Sequence, residues 1–176
     1  MNNGSISNPC AWVPEHIRRL VPYVPGKPIE ELERELGIKD SIKIASNENP
    51  LGPSPLALEA IKNALSNLNR YPDGNGTYLK EKLSQKLGVT QEMIILGNGS
   101  NEVLELLVAT FMTPEDEAIM SEHAFVVYSL AVDSRGLKKI VCPPKENFGH
   151  DLDKMAKAIN ERTRIIFIAN PNNPTG

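Results

Sequence analysis

The sequence holds only two cysteines, Cys10 and Cys142, far apart and without a C-x-x-C pair. That spacing suggests neither a disulfide framework nor a zinc site, and no other metal-ligand spacing stands out. No apolar run approaches the ~20 residues that a membrane helix needs. The start, MNNGSISNPCAW, is polar and lacks the hydrophobic core of a secretion signal. A formal net charge of −3 comes without any long basic stretch, which disfavours nucleic acid and membrane surfaces as partners. Repeats and low-complexity tracts are missing too. What remains is 176 residues of ordinary globular composition, 40% hydrophobic, enough for one compact domain or a piece of a larger one. A soluble protein of a reducing cytoplasm is the expectation.

The first fifty residues or so are irregular. Pro22, Pro25 and Pro28 in LVPYVPGKPIEEL force extended or turn geometry. Glu30 to Leu36 reads as a short helix stopped by Gly37, SIKIA as a short strand, and SNENPLGPSP as a polar turn. The pattern then becomes regular. Ser54 and Pro55 suit a helix start, and Leu58, Ile61, Leu65 and Leu68 recur at helical spacing. After the loop NRYPDGNG, Thr77 opens a helix with Leu79, Leu83 and Leu87 on one face, ended by Gly88. EMIILG is predicted as a strand. SNEVLELLVATF follows as a helix burying Val103, Leu104, Leu107, Val108 and Phe111. EAIMSE, KKIVC and RIIFIA are predicted strands, separated by the helices FVVYSLAVDSRG and DLDKMAKAIN. Such alternation argues for an α/β fold, a parallel sheet with helices on both faces.

Open α/β sheets bind ligands beyond the carboxyl ends of their strands, and three of those ends carry unusual residues. In LGNGSNEVLELL a predicted strand passes through Gly97 and Gly99 into a helix. The amides of Gly99, Ser100 and Asn101 there form a cradle for a phosphate dianion, or else a capped turn with no ligand. The stretch is neither a Walker loop, lacking GK[ST], nor a dinucleotide fingerprint, lacking the third glycine. In SEHAFVVYSL, Phe125 stands after a strand end, either stacked on a flat ring or simply in the core. In the closing NPNNPTG, Pro171 and Pro174 fix a turn that leaves Asn172 and Asn173 displayed at the mouth.

Taken in order, VPYVPGK, ASNENPLGPSP, NRYPDGNGTYLKEKL, GNGSNEVLELL, FVVY and NPNNPTG resemble the N-terminal half of a fold-type I pyridoxal-phosphate aminotransferase. Within that group the resemblance is to the histidinol-phosphate aminotransferase family, from about Val21 to Gly176. It implies a three-layer α/β/α large domain with a mixed, mostly parallel sheet, incomplete in this chain and preceded by an N-terminal arm. Residues 1–47 are then the arm and part of a small domain. Residues 48–176 are the first half of the cofactor-binding domain, cut off at NPNNPTG. In the family's sheet EAIMS lies between KKIVC and RIIFI, whereas EMIIL pairs with a strand from later in the chain.

The resemblance also assigns roles. Gly99, Ser100 and Asn101 match the turn that grips the phosphate of pyridoxal 5'-phosphate. Phe125 matches the aromatic stacked on the pyridine ring, usually a tyrosine, so the face is kept and a hydroxyl lost. Asn173 matches the donor to the ring's phenolic oxygen. Tyr71 matches a tyrosine that reaches the partner subunit's cofactor phosphate in a homodimer, and Tyr23 a residue over the substrate's phosphate end. The implied substrates are histidinol phosphate and the glutamate/2-oxoglutarate pair. The Schiff-base lysine and the aspartate on the ring nitrogen have no counterpart up to Gly176, so this chain alone is expected to be inactive. His16, His123 and His150 are expected to be surface or capping residues. Other readings are a sister aminotransferase for aromatic or other amino acids, a related phosphate-recognising decarboxylase, a non-catalytic truncated product, or a stand-alone phosphate-binding module.

Overall fold

The computed structural model describes residues 8–176, which fall into two compact units. One takes in residues 8–22, with the short helix α1 (Glu15–Arg18), together with Ile95–Gly176, and the other is Tyr23–Ile94. The expected boundary at residue 47 falls inside the second unit.

The larger unit is built on three strands, β1 (Glu117–Ser121), β2 (Lys138–Cys142) and β3 (Thr163–Ile166), paired in parallel in the order β2-β1-β3. The expected neighbours of EAIMS are therefore in place. Every residue of β1 is buried, as a central strand covered on both faces requires. Side chains on a strand alternate between faces, and here the alternation sorts two cores. Ala118 and Met120 pack with Val108 and Met112 near the end of α5 (Gly99–Phe111) and with Ala131 and Val132 of α6 (Val126–Asp133). Ile119 packs on the opposite side with Cys142 and with Met155 of α7 (Leu152–Ala158). Full burial of a side chain such as Ile119 stabilises by about 1.5–3 kcal/mol. The β1–β2 connection thus crosses one face through α6, and the β2–β3 connection returns over the other through α7. Layering α5 and α6 against α7 gives the expected α/β/α sandwich.

Between β1 and β3 the register slips once, Glu117 pairing with Thr163 and Ala118 with Ile165. Arg164 is the extra residue. A bulge of this kind frees one side chain from the alternation, and the Arg164 guanidinium turns to Asp116 at the start of β1.

The smaller unit contains α2 (Ile29–Leu36), α3 (Pro55–Ala64) and α4 (Thr77–Leu87). Gly37 and Gly88 end α2 and α4 in the left-handed conformation predicted for them. None of these helices carries a buried residue, and Leu58, Ile61, Leu65 and Leu68 are exposed in spite of their spacing. The periodicity specified the helices, but no packed layer within the unit covers their apolar stripes. Ser54 holds the cap position of α3 without a side-chain capping bond.

Three expected features are not seen. Glu92–Gly97 forms no strand: Gln91–Met93 is a single 3-10 turn and the following residues are unpaired. Residues 41–45 likewise have no strand partner, with Ile42 and Ile44 almost fully exposed. A strand exists only through its neighbour's hydrogen bonds, and neither segment has one here. Phe111, at the end of α5, is 58% exposed rather than buried, since the chain leaves the helix there for β1.

Candidate functional site

With the strand order β2-β1-β3, one connection leaves β1 toward β2 and the other arrives at β3 over the opposite face. Neither closes the crevice beyond the carboxyl ends of β1 and β3, which is where open α/β sheets take their ligands. Two segments meet there, Glu122–Phe125 after β1 and Phe167–Gly176 after β3.

Their junction is made by Asn172. Its side-chain amide donates to the carbonyl of His123 at 2.8 Å and to Oγ1 of Thr175 at 2.7 Å. Asn172 is therefore not displayed at the mouth as its position suggested. It is only 8% exposed, with its Oδ1 buried and unpartnered. The turn closes on itself through the Gly176 amide, which donates to the Asn172 carbonyl at 2.8 Å. Asn173, the next residue, keeps an exposed side chain. Alternation around one tight turn thus gives the two asparagines different environments.

The loop after β2 packs against the same turn. His150 bonds through Nε2 to the Ala169 carbonyl at 2.8 Å, which requires the ring hydrogen on Nε2. Its Nδ1 is buried without a partner. The Thr175 hydroxyl donates to the Phe148 carbonyl at 3.4 Å, and the Phe148 ring stands edge-on to His123 with centroids 5.4 Å apart. Phe148 holds a left-handed φ of 61°, uncommon for an aromatic residue. His123 and His150 are both half-buried and engaged, rather than surface residues. Nothing in the local sequence signalled these contacts. His150 reaches Ala169 across 19 positions and Asn172 reaches His123 across 49.

Phe125, half-buried, sits at the cap position of α6, and its ring meets Tyr128 edge-on at 5.8 Å. Tyr128 in turn stacks on Phe167, with centroids 4.6 Å apart. Phe125 is thereby backed by a short aromatic column that ends in the core beneath β3.

At the start of α5, Gly99 adopts φ 76° and its amide donates to the Gly97 carbonyl at 2.9 Å. Of the three amides of the predicted cradle, those of Ser100 and Asn101 are thus the ones left open, as in the first turn of any helix. The Glu102 carboxylate accepts from the Asn98 amide at 2.6 Å and from the Asn98 side chain at 3.2 Å, which fixes the turn. A Cβ on Gly97 would fall 2.9 Å from Cγ2 of Val103, whereas one on Gly99 would meet nothing within 4 Å. The turn is packed on its inner side and open at its mouth. Because α5 leads directly into the start of β1, its N-terminus points back toward the carboxyl edge of the sheet.

Tyr71 and Tyr23 belong to the smaller unit, and both side chains are exposed, Tyr71 fully so. The loop after Tyr71 is held by Asp73, whose carboxylate accepts from the amides of Thr77 at 2.5 Å and Asn75 at 3.0 Å. Those bonds, Thr77 first, lower its pKa.

A parallel sheet with an open helix N-terminus and an Asn-Pro turn at its carboxyl edge is the frame of one large enzyme class. The chain belongs to the family of class I and II aminotransferases, which it matches over residues 39–176. Histidinol-phosphate aminotransferase from Moorella thermoacetica is 53% identical over 171 residues, covering 96% of this chain and 44% of that protein. Histidinol-phosphate aminotransferase 2 of Pseudomonas fluorescens is 54% identical over 162 residues, again 44% of its own length. The crystal structure of the Sinorhizobium meliloti histidinol-phosphate aminotransferase, in complex with pyridoxal-5'-phosphate, superposes with a TM-score of 0.80 at 26% identity. That match covers 93% of this chain and 44% of the other. The chain thus spans less than half the length of these relatives.

Proposed function

We propose that this chain carries the cofactor-gripping part of a cytoplasmic, pyridoxal-phosphate-dependent histidinol-phosphate aminotransferase, with glutamate and 2-oxoglutarate as the other substrate pair. The observation that carries the reading is the bond from Asn172 to the His123 carbonyl, 2.8 Å, which joins the Asn173 turn to the segment bearing Phe125. The relatives' names supply the substrate class.

The residues present fit the cofactor. Open amides at Ser100 and Asn101, the Ser100 hydroxyl and the positive end of α5 suit a phosphate dianion. Gly99 contributes its left-handed backbone and the open space beside it rather than its amide, which is already given to Gly97. Phe125 offers an aromatic face for the pyridine ring and no hydroxyl. Asn173 would donate to the phenolic oxygen and so favour its ionised form. When bound, pyridoxal phosphate supplies the electron sink for the pair left when the amine-bearing carbon loses its proton. This chain's residues bind and orient; nothing in them is assigned to move that proton. The fully exposed Tyr71 suits a reach toward the cofactor phosphate of a second subunit, and the uncovered stripe of α3 suits a homodimer. Tyr23 is assigned to the phosphate end of the substrate. The free thiols Cys10 and Cys142 suit a reducing compartment.

The test is amino transfer by an intact subunit, that is, a protein of the relatives' length carrying this sequence. Histidinol phosphate should be the preferred donor to 2-oxoglutarate, and histidinol without its phosphate a poor one. A preference for phenylalanine or tyrosine would replace this reading with the sister aminotransferase.

A further inference from the structure

Four contacts at the carboxyl edge of the sheet close into a ring. The Asn172 amide donates to the His123 carbonyl and to the Thr175 hydroxyl. That hydroxyl donates onward to the Phe148 carbonyl, and the Phe148 ring returns to His123 edge-on. The His123 carbonyl can only accept, and that fixes the sense of the chain. Both partners of the Asn172 amide accept, so its nitrogen faces them, and the Thr175 hydrogen is left free for the Phe148 carbonyl. Bonds chained in this sense polarise one another. The ring ties three segments that are distant in sequence: the end of β1, the loop after β2 and the turn after β3. His150 adds a second tie from the same loop to Ala169, just ahead of that turn. Asn173 and Phe125 flank this assembly, and neither takes part in it.

We infer that Asn172 is a positioning residue for the reaction. Working with Thr175 and Phe148, it sets where the Asn173 side chain stands relative to the face of Phe125. The inference rests on the proposed cofactor site. It explains two features that a plain turn does not need: a buried asparagine where exposure would cost nothing, and an aromatic residue held at positive φ. The loop after β2 contributes no group to the cofactor. It acts by holding the residue that does.

The test uses the intact holoenzyme and follows the bound cofactor's absorbance as a function of pH. Asn173→Ala should raise the absorbance pKa by about half to one pH unit, the equivalent of one hydrogen bond. Asn172→Asp keeps the shape but sets an acceptor against the His123 carbonyl, which can only accept, and should raise the same pKa by a smaller amount. Thr175→Val, which cuts the ring at a milder point, should do so as well, and serves should the aspartate variant fail to fold. The double variant Asn172→Asp/Asn173→Ala should move no further than Asn173→Ala alone, since the first change acts only through the second residue. In the cofactor-free protein, amide exchange of residues 170–176 should speed up in Asn172→Asp and in Thr175→Val. An unmoved titration in Asn173→Ala would overturn the cofactor reading itself. A normal shift there, with unmoved titrations in Asn172→Asp and Thr175→Val or with additive effects in the double variant, would overturn this inference alone.

Discussion

Arg164 grips Asp116 through two nitrogens on one oxygen, with Nε at 3.0 Å and Nη2 at 2.8 Å from Oδ1. The other carboxylate oxygen accepts from the amide and hydroxyl of Thr113, at 2.7 and 2.8 Å. The β3 bulge is thereby fastened to the turn that delivers β1. The Thr113 amide, then the Arg164 guanidinium, hold the Asp116 carboxyl at about 2.

A pH dependence follows from the sign of that shift. The carboxyl is more acidic folded than unfolded, so its stabilising effect is complete above the ordinary aspartate value. It is lost as pH falls toward about 2. Asp116→Asn should lower the urea midpoint of the intact protein at pH 7 and at pH 5 alike. The gap between the two proteins should narrow from about pH 4 downward. A gap that is constant down to pH 2.5 or so would mean that the carboxylate is not held in this way.

The two cysteines should differ in reactivity. Cys142 is buried among Ile119 and Met155, and burial pushes its thiol up, away from the reactive thiolate. Cys10 is exposed. Peptide-resolved alkylation at pH 8 should label Cys10 quickly and Cys142 only in denaturant. Equal rates would contradict the placement of β2 over α7.

The glycines of the α5 turn should fail for different reasons. In Gly97→Ala the new methyl meets the stiff, branched Val103 at 2.9 Å, and the change should cost about 1–3 kcal/mol of stability. Gly99→Ala meets no neighbour, so it carries only the strain of positive φ, about 1–2 kcal/mol. Gly99→Asn should recover part of that, because asparagine tolerates the left-handed region better. Denaturation midpoints of these three variants and of Gly97→Asn check the order. Recovery at position 97 by asparagine would count against the steric account.

Much of this architecture was legible because its signals are local. Gly37 and Gly88 end the helices predicted before them, and the alternation read from Glu92 onward places α5 ahead of β1 and α6 and α7 between strands, although its first strand does not form. What was not legible depends on partners distant in sequence. Ile94 to Leu96 has the composition of a strand, but composition cannot supply the neighbour that would make it one. Leu58, Ile61, Leu65 and Leu68 marked a helix correctly and said nothing of what covers it. Around the final turn, two adjacent asparagines look alike in sequence. Only the carbonyl of His123 decides that Asn172 is the one turned inward. Phe148 and His150 gave no sign of their part, because their contacts lie in a turn some twenty residues or more away.

Tyr71 offers a test of the subunit arrangement. Tyr71→Phe in the intact enzyme should weaken pyridoxal phosphate binding by about 1 kcal/mol, or somewhat more because the acceptor is charged. Hybrid dimers of Tyr71→Phe subunits with subunits lacking the Schiff-base lysine should collect both defects in one active site and leave the other site intact. Defects that fall in different sites would show that Tyr71 serves its own subunit.

The central claim is that the first turn of α5 and the turn after β3 hold opposite ends of one cofactor. A crystal structure of the intact subunit with pyridoxal phosphate tests it most directly. The account predicts the phosphate within hydrogen-bonding distance of the Ser100 and Asn101 amides, the ring lying against Phe125, and the Asn173 side chain on the phenolic oxygen. A phosphate bound away from α5, or a ring out of reach of Asn173, would contradict it.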